Sequence, residues 1–145
     1  MKEIYYLNKN EVPTIPVPHD CVIKDVRLDE NSIVFVFEDD ISYHDGIKSI
    51  RPDAKSLVVT CHFLCDKSDI TMFVRGKANR LLHKPGTYKE IENRKLEMVL
   101  QELIKQNLTY LYHNVGYCSM IVQLWSARSV ILDLTIDYAE FEWLE

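Results

Sequence analysis

Apolar side chains recur at every second position along most of this chain, and this period of two limits the fold more than any other feature. It is typical of half-buried β-strands. Within residues 21–28, Val22, Val26 and Leu28 share one parity, with a lysine at position 24, and residues 33–37 alternate in the same way. The two segments are predicted to form a β-hairpin across the polar residues 29–31.

Five further segments show the same alternation and are predicted to be strands: 56–64, 70–75, 108–112, 117–125 and 129–138. The polar residues 66–69 are predicted to join the first two as a turn, and turns at 114–116 and 126–128 separate the last three. The chain has only four glycines. Its turns are therefore expected to depend on Asn and Asp, which tolerate left-handed backbone.

Near the end of the chain the alternation changes phase. From Val130 to Tyr138 the apolar residues stand at even positions, whereas Phe141 and Trp143 stand at odd positions. A shift of one residue would move the apolar side chains to the opposite face of the sheet. A β-bulge or a break is therefore predicted at residues 139–140. Tyr138 is predicted to face the core together with Val130.

One segment has the spacing of an amphipathic helix. Leu96, Leu100 and Leu103 recur at three- and four-residue intervals with charged residues between them, which predicts a helix beginning at 88 or 94 and ending at 106. Thr87 and Glu90 have the spacing of a capping box. In the alternative reading, residues 87–91 form a short strand and Asn93 caps the helix.

These elements predict one α+β domain over residues 1–145. The strands, about seven in number, follow one another across turns too short for a crossover helix, so the sheet is expected to be antiparallel and sandwich- or roll-like. One long amphipathic helix near residues 88–106 is expected to pack on it. Residues 1–19 contain three prolines and are predicted to be an extended N-terminal arm.

The chain is expected to be cytoplasmic. Residues 1–10 carry charged and polar side chains where a signal peptide needs a continuous apolar stretch. The most apolar region, 115–136, is interrupted at 126–129 and lacks the ~20 apolar residues that cross a bilayer, so no membrane partner is predicted. In a reducing compartment all four cysteines are expected to be thiols: Cys21, Cys61, Cys65 and Cys118.

No catalytic or phosphate-binding motif stands out. The nucleophile elbow, the P-loop and the dinucleotide glycine motif are missing. Cys61, His62 and Cys65 are the densest group of zinc-type ligands, but neighbouring strand residues point to opposite faces and no second pair completes four ligands. Neither a metal site nor a cofactor is predicted.

The segment 38–45, from Glu38 to Asp45, is the most polar junction in the chain. It places four carboxylates and His44 directly after an apolar strand. Crowded carboxylates can hold a divalent cation or exchange protons with a histidine. The alternative to a binding function is an enzyme that acts on a small molecule or depends on a metal ion. Such an enzyme would use His44, Asp40 and Asp45.

Charge is unevenly distributed along the chain. Residues 1–128 contain 17 acids and 17 bases, whereas residues 129–145 contain five acids and no base, so the net charge of −5 belongs to the C-terminus. A negative stripe there repels phosphate backbones and attracts basic partners, so no nucleic-acid partner is predicted. The segment 75–84 is predicted to be a basic loop, with four Lys and Arg residues and no acid.

Two stretches resemble small uncharacterised proteins of low-GC Gram-positive bacteria. They are HDCVIKDV at 19–26, continuing to FEDDI at 37–41, and LTIDYAEFEW at 134–143. This resemblance implies a family without an assigned activity, so it implies no functional residue. The small, acidic, β-rich character is also similar to that of immunity proteins that neutralise bacterial toxins, by analogy of type alone.

The leading functional prediction is a cytosolic, non-enzymatic module that binds a protein partner of basic character. Acids and an aromatic residue of the last strand are predicted to bind it: Asp133, Asp137, Glu140, Glu142 and Trp143. Two states of assembly are left open: a homodimer, in which the loop 75–84 of each subunit lies against the acidic strand of the other, and a monomer whose loop is solvated.

Overall fold

A computed structural model describes all 145 residues, and β-structure dominates it. The nine strands are β1 Lys2–Tyr6, β2 Ile23–Leu28, β3 Ser32–Phe37, β4 Ser56–Phe63, β5 Ile70–Arg75, β6 Tyr88–Ile91, β7 Thr109–Gly116, β8 Ser119–Trp125 and β9 Ser129–Leu144. The helices are α1 Asp45–Ile50 and α2 Leu96–Ile104, with 3-10 turns at Lys67–Asp69 and Asn93–Lys95. All strand pairs are antiparallel, so the predicted α+β class with a mainly antiparallel sheet is confirmed.

The 16-residue strand β9 organises the whole sheet. Along one side it pairs with β5 and then β4, and along the other side with β8 and then β1. β2 and β3 extend the sheet beyond β4, β7 extends it beyond β8, and β6 extends it beyond β5. The strand that carries the acidic C-terminus is therefore the central strand of the sheet and not an edge.

The sheet curls until β2 and β7 approach each other. The Ile23 amide donates to the Leu108 carbonyl at 2.8 Å, and the Tyr110 amide donates to the Cys21 carbonyl at 2.9 Å. The curl encloses an apolar core in which the Phe37 and Tyr110 rings lie 5.9 Å apart. Antiparallel pairing and the curl together explain why one face of nearly every strand is buried.

Strands β4 and β5 differ from the prediction of a pair joined by a turn. They do not pair with each other, because both pair with β9, one beyond the other. The six residues between them include the 3-10 turn, where Asp66 and Asp69 form a capping box. The polar segment therefore lies where it was predicted. It separates two strands that pair with successive parts of the same side of β9, and the chain continues in one direction instead of reversing.

The change of phase in β9 is a β-bulge, and it lies earlier than predicted. Phe63 pairs with Ile136 and His62 pairs with Tyr138, so Asp137 is the extra residue. The strand continues through residues 139–140 without a break. Because the bulge precedes Tyr138, that ring is half-exposed on the outer face, and the prediction that it faces the core is wrong.

The helical prediction is confirmed in place but not in length. Residues 88–91 form β6, as the alternative reading expected, and a 3-10 turn of three residues leads into nine α-helical residues that end at Ile104. Asn93 does not cap the helix, because it is the first residue of the 3-10 turn; Glu92 precedes that turn, and its side chain accepts no capping hydrogen bond. The six-residue helix α1 was not predicted.

Helix α2 is fastened to the end of β2 by two side chains. The Gln101 amide donates to the Val26 carbonyl at 2.6 Å, and the Glu97 carboxylate accepts from the Leu28 amide at 2.7 Å. Its buried leucines complete the core on that side.

The N-terminal arm is partly a strand. Within the predicted extended arm over 1–19, residues 2–6 form β1, which pairs with β9, while the following residues lack strand structure. The β7–β8 turn also differs from its prediction at 114–116, because β7 runs to Gly116 and the chain reverses at residues 117–118. None of the helices is long and apolar enough to span a bilayer.

Candidate functional site

The junction after β3 is organised by Glu38. One carboxylate oxygen of Glu38 accepts from the Tyr43 hydroxyl at 2.5 Å and lies 3.1 Å from Nε2 of His44. The other oxygen accepts from the Val22 amide at 3.1 Å. Glu38 therefore ties α1 to the start of β2, and the hydrogen bond that it accepts from the Tyr43 hydroxyl raises the pKa of Tyr43 to about 12.

The other acids of the junction point elsewhere. Asp40 accepts from both the amide and the hydroxyl of Ser42, and this bonding lowers the pKa of its carboxyl. Asp39 pairs with Lys24, and Asp45 is exposed in the first turn of α1. The structure therefore does not bring His44, Asp40 and Asp45 together. No group of three or more His, Cys, Asp or Glu side chains is placed to hold a metal ion.

The acids of β9 lie on the outer face of the sheet. Asp133 and Glu142 are exposed, and neither takes part in an ion pair. Asp137 accepts a hydrogen bond from Asn8 at 2.5 Å, and Glu140 is half-buried. Trp143 is 2% exposed and belongs to the core, so it does not lie on this surface.

Apolar side chains surround these carboxylates. Register places Ile4 of β1 on one side of Glu140 and Thr60 of β4 on the other, with Val34 of β3 beyond Thr60. We call this surface the acidic face, and it consists of Ile4, Tyr6, Val34, Val36, Val58, Thr60, His62, Asp137, Tyr138, Glu140 and Glu142. Ile4 is 44% exposed, which shows that no other element covers it.

A histidine in the acidic face has an unused nitrogen. His62 stacks on Tyr138 with ring centroids 4.1 Å apart, and its Nε2 lies 3.8 Å from a Glu140 oxygen, too far for a hydrogen bond. That nitrogen is buried and has no hydrogen-bond partner. Burial first, and then the Glu140 charge, raises the pKa of Tyr138.

A second charged surface lies at the opposite end of β9. A cleft of about 440 Å³ is lined by Arg75 and Gly76 at the end of β5, by Lys77 and Arg80 of the loop after it, and by residues at the end of β8 and in the β8–β9 turn. Those residues include Trp125 and Arg128. We call Arg75, Lys77, Arg80, Trp125 and Arg128 the basic cleft.

The basic loop was found from the sequence, but the cleft was not. Arg128 and Trp125 lie about 45 residues away in the chain from the loop, and only the pairing of β5 and β8 with β9 brings them beside it. The loop is closed at its base, where a Cβ on Gly86 would approach the Gly76 carbonyl oxygen to 1.9 Å. Only glycine fits there without moving the backbone.

Buried polar groups elsewhere have structural roles. His113 is 3% exposed, with Nδ1 2.6 Å from the Tyr110 hydroxyl and Nε2 3.0 Å from the Ile15 carbonyl oxygen. Burial lowers the pKa of His113, so the neutral ring is favoured. The pair fastens the N-terminal segment to β7.

All four cysteines are free. Burial raises the pKa of both Cys21 and Cys61 to about 12, which keeps these thiols protonated and unreactive. Cys65 is exposed, whereas Cys61 is buried.

Comparison with protein-family models, with curated proteins and with solved structures gives no match to this chain. Function is therefore inferred from the two charged surfaces of the fold.

Proposed function

We propose that the protein is a non-enzymatic interaction module that binds a basic protein surface through its acidic face. The observation that carries the proposal is the position of Glu140 and Glu142 beside apolar side chains that are exposed, as Ile4 is, or partly exposed, as Val34 and Val58 are. Solvent-facing strand positions are usually polar, but here they include Ile4, Val34 and Val58. A contiguous apolar surface with charges inside it is typical of a protein-binding site.

The acidic face favours a cationic partner for two reasons. First, β9 contributes three acids over 137–142, while the N-terminal segment places two cations beside them: Lys2, next to Glu142 by register, and Lys9, whose ammonium lies 5.9 Å from the Tyr6 ring centroid. Second, Glu140 is half-buried and lacks a hydrogen-bonded cation, since the His62 nitrogen stays 3.8 Å away. An arginine or lysine of the partner would hydrogen-bond this carboxylate in a partly desolvated setting, where charged hydrogen bonds are strong.

Tyr6 and Tyr138 supply aromatic contact area beside the carboxylates. Their ring centroids are 5.7 Å apart, and Tyr6 is 48% exposed. Tyrosines next to charges are enriched among the residues that dominate binding energy. An immunity protein would fall within this proposal, because the bound toxin domain would supply the basic surface.

The enzyme alternative has less support. Glu38 and His44 do contact each other, but the Val22 amide and the Tyr43 hydroxyl occupy the carboxylate that a catalytic pair would need free. The five principal clefts of the surface contain no residue of 38–45.

Charge reversal within the acidic face tests the proposal. The protein with Glu140→Lys and Glu142→Lys is compared with wild type as bait in a native lysate. A matched control carries Glu11→Lys and Asp53→Lys, which change net charge equally at exposed acids outside the face. We expect basic proteins captured by wild type and by the control to be lost from the reversed variant. Identical capture by all three baits would refute an acidic interface.

A further inference from the structure

We propose that the basic cleft is a nucleotide-binding site, in which the cations hold the phosphates and Trp125 stacks on the base. The cleft lies at the Ser129 end of β9 and shares no residue with the acidic face. It is therefore a second site, independent of the proposed protein interface.

The charge of the cleft is uncompensated. Its lining includes Arg75, Lys77, Arg80 and Arg128 but no Asp or Glu. None of the four takes part in the nine ion pairs of the protein. Like charges grouped in this way repel one another, and a bound polyphosphate would remove that repulsion while accepting several N–H donors.

The aromatic residue in the cleft distinguishes a nucleotide from a simple anion. Trp125 is 49% exposed, whereas the other tryptophan of the chain, Trp143, is buried in the core. An exposed indole beside phosphate-binding cations offers the flat surface on which bases stack. The cleft volume of about 440 Å³ falls within the range of small-molecule sites.

Two contacts hold the walls of the cleft in place. The Arg75 Nε donates to the Gly86 carbonyl at 3.1 Å, which fixes this side chain against the base of the loop. On the other wall, the buried Ser126 hydroxyl donates to the Leu103 carbonyl at 2.9 Å and so fastens the β8–β9 turn to the end of α2. Groups held in advance lose less entropy when a ligand binds.

The surroundings favour a free nucleotide over a nucleic-acid strand. Asp133 lies on the same outer face as Trp125, four strand positions from Ser129, and the acidic face follows farther along β9. A long polyanion leaving the cleft along β9 would meet these carboxylates, whereas a single nucleotide would not.

Calorimetric titration with ATP, pyrophosphate and a single-stranded dT octamer tests the assignment. The variants are Trp125→Leu and the pair Lys77→Ala with Arg128→Ala. The matched control pair is Lys48→Ala with Lys55→Ala, which removes two exposed cations outside the cleft.

We expect wild type to bind ATP more tightly than pyrophosphate or the octamer. Trp125→Leu should weaken ATP binding by about tenfold or more and leave pyrophosphate binding unchanged, since stacking on one base contributes on this scale. The Lys77 and Arg128 variant should weaken both ligands, and the control should weaken neither. Equal affinity for ATP and pyrophosphate, tighter binding of the octamer, or no ATP binding at millimolar concentration would each overturn the assignment.

Discussion

The buried pair of Tyr110 and His113 gives the sharpest stability prediction. The Ile15 carbonyl can only accept, so Nε2 of His113 carries the proton that it donates there. In the neutral ring favoured by burial, Nδ1 is then an acceptor, and the Tyr110 hydroxyl donates to it. Tyr110→Phe removes this donor and leaves Nδ1 buried without a partner. An unsatisfied buried polar group costs about 1–3 kcal/mol, and this is the expected loss in the free energy of unfolding.

A double-mutant cycle isolates the contact. His113→Leu should cost more than Tyr110→Phe, because it leaves both the tyrosine hydroxyl and the Ile15 carbonyl unpaired. The double variant should be more stable than the sum of the two losses predicts, by about 1 kcal/mol, since the hydroxyl is already gone. Urea unfolding at pH 7.5 measures all four proteins. A loss below about 0.5 kcal/mol for Tyr110→Phe, or strict additivity, would refute this description of the pair.

The same histidine predicts a pH dependence. Its pKa is lowered in the folded protein, so the unfolded chain takes up a proton at higher pH than the folded one. Stability should therefore be level above about pH 6.5, the ordinary pKa of histidine, and should fall as the pH drops below it. His113→Leu should reduce this loss between pH 6.5 and 5, where carboxyls with lowered pKa values, such as that of Asp29, stay ionised. An unchanged profile in the variant would contradict the assignment.

Three further predictions concern the loops and the assembly. Gly86→Ala should destabilise the protein by about 1–3 kcal/mol, because the added Cβ would clash with the backbone of Gly76. The loop 75–84 should then be cleaved more readily by protease. The control, Gly116→Ala, should leave the loop protected, because the nearest atom to its Cβ is 3.8 Å away. Ser126→Ala should cost about 0.5–1.5 kcal/mol in urea unfolding, because the Leu103 carbonyl at the end of α2 loses the serine hydroxyl and keeps only the Gln106 amide as a donor. A homodimer held by the loop and the acidic strand should dissociate between ~0.15 M and ~1 M salt in light scattering, since the Debye length falls from ~8 Å to ~3 Å; a monomer mass at low salt would exclude it.

Local pattern was enough to predict most of the strands and the place of the helix. Period-two alternation identified seven strands, and leucine spacing identified α2. The short strand β1 was not predicted, and β6 was predicted only as an alternative to a helix start. Four or five residues beside prolines or charges show too little periodicity to identify a strand. Their formation depends on pairing with β9 and β5, which no local pattern reports.

Turn positions show the same limit. No glycine in the chain has a positive φ, while Cys118 and Ala127, at two hairpin turns, have φ values of 49° and 56°. Cys118 carries no turn signal, so the β7–β8 turn was predicted at 114–116 instead, whereas the turn that contains Ala127 was predicted in its place at 126–128. The bulge at Asp137 was placed late for a related reason, since an extra residue can be accommodated anywhere between the two phases of the pattern.

The candidate sites depended on long-range pairing to different degrees. The acids of β9 alternate within one strand, so their shared outer face could be predicted from sequence. Their apolar surroundings could not, because Ile4 and Val34 come from strands more than 100 residues away in the chain. The same is true of Trp125 in the basic cleft, because its position beside the loop 75–84 depends on the pairing of β5 and β8 with β9.

The most direct test of the acidic interface is a site-specific photo-crosslink. A photoreactive phenylalanine analogue is placed at Thr60, which lies between Glu140 and Val34 in the middle of the acidic face, and separately at the exposed Lys48 on α1. On illumination in cells, we expect a crosslinked adduct to a basic protein from position 60 and none from position 48. The adduct from position 60 should disappear when Glu140 and Glu142 are changed to lysine. No adduct from position 60, or one that survives the charge reversal, would contradict the proposed function.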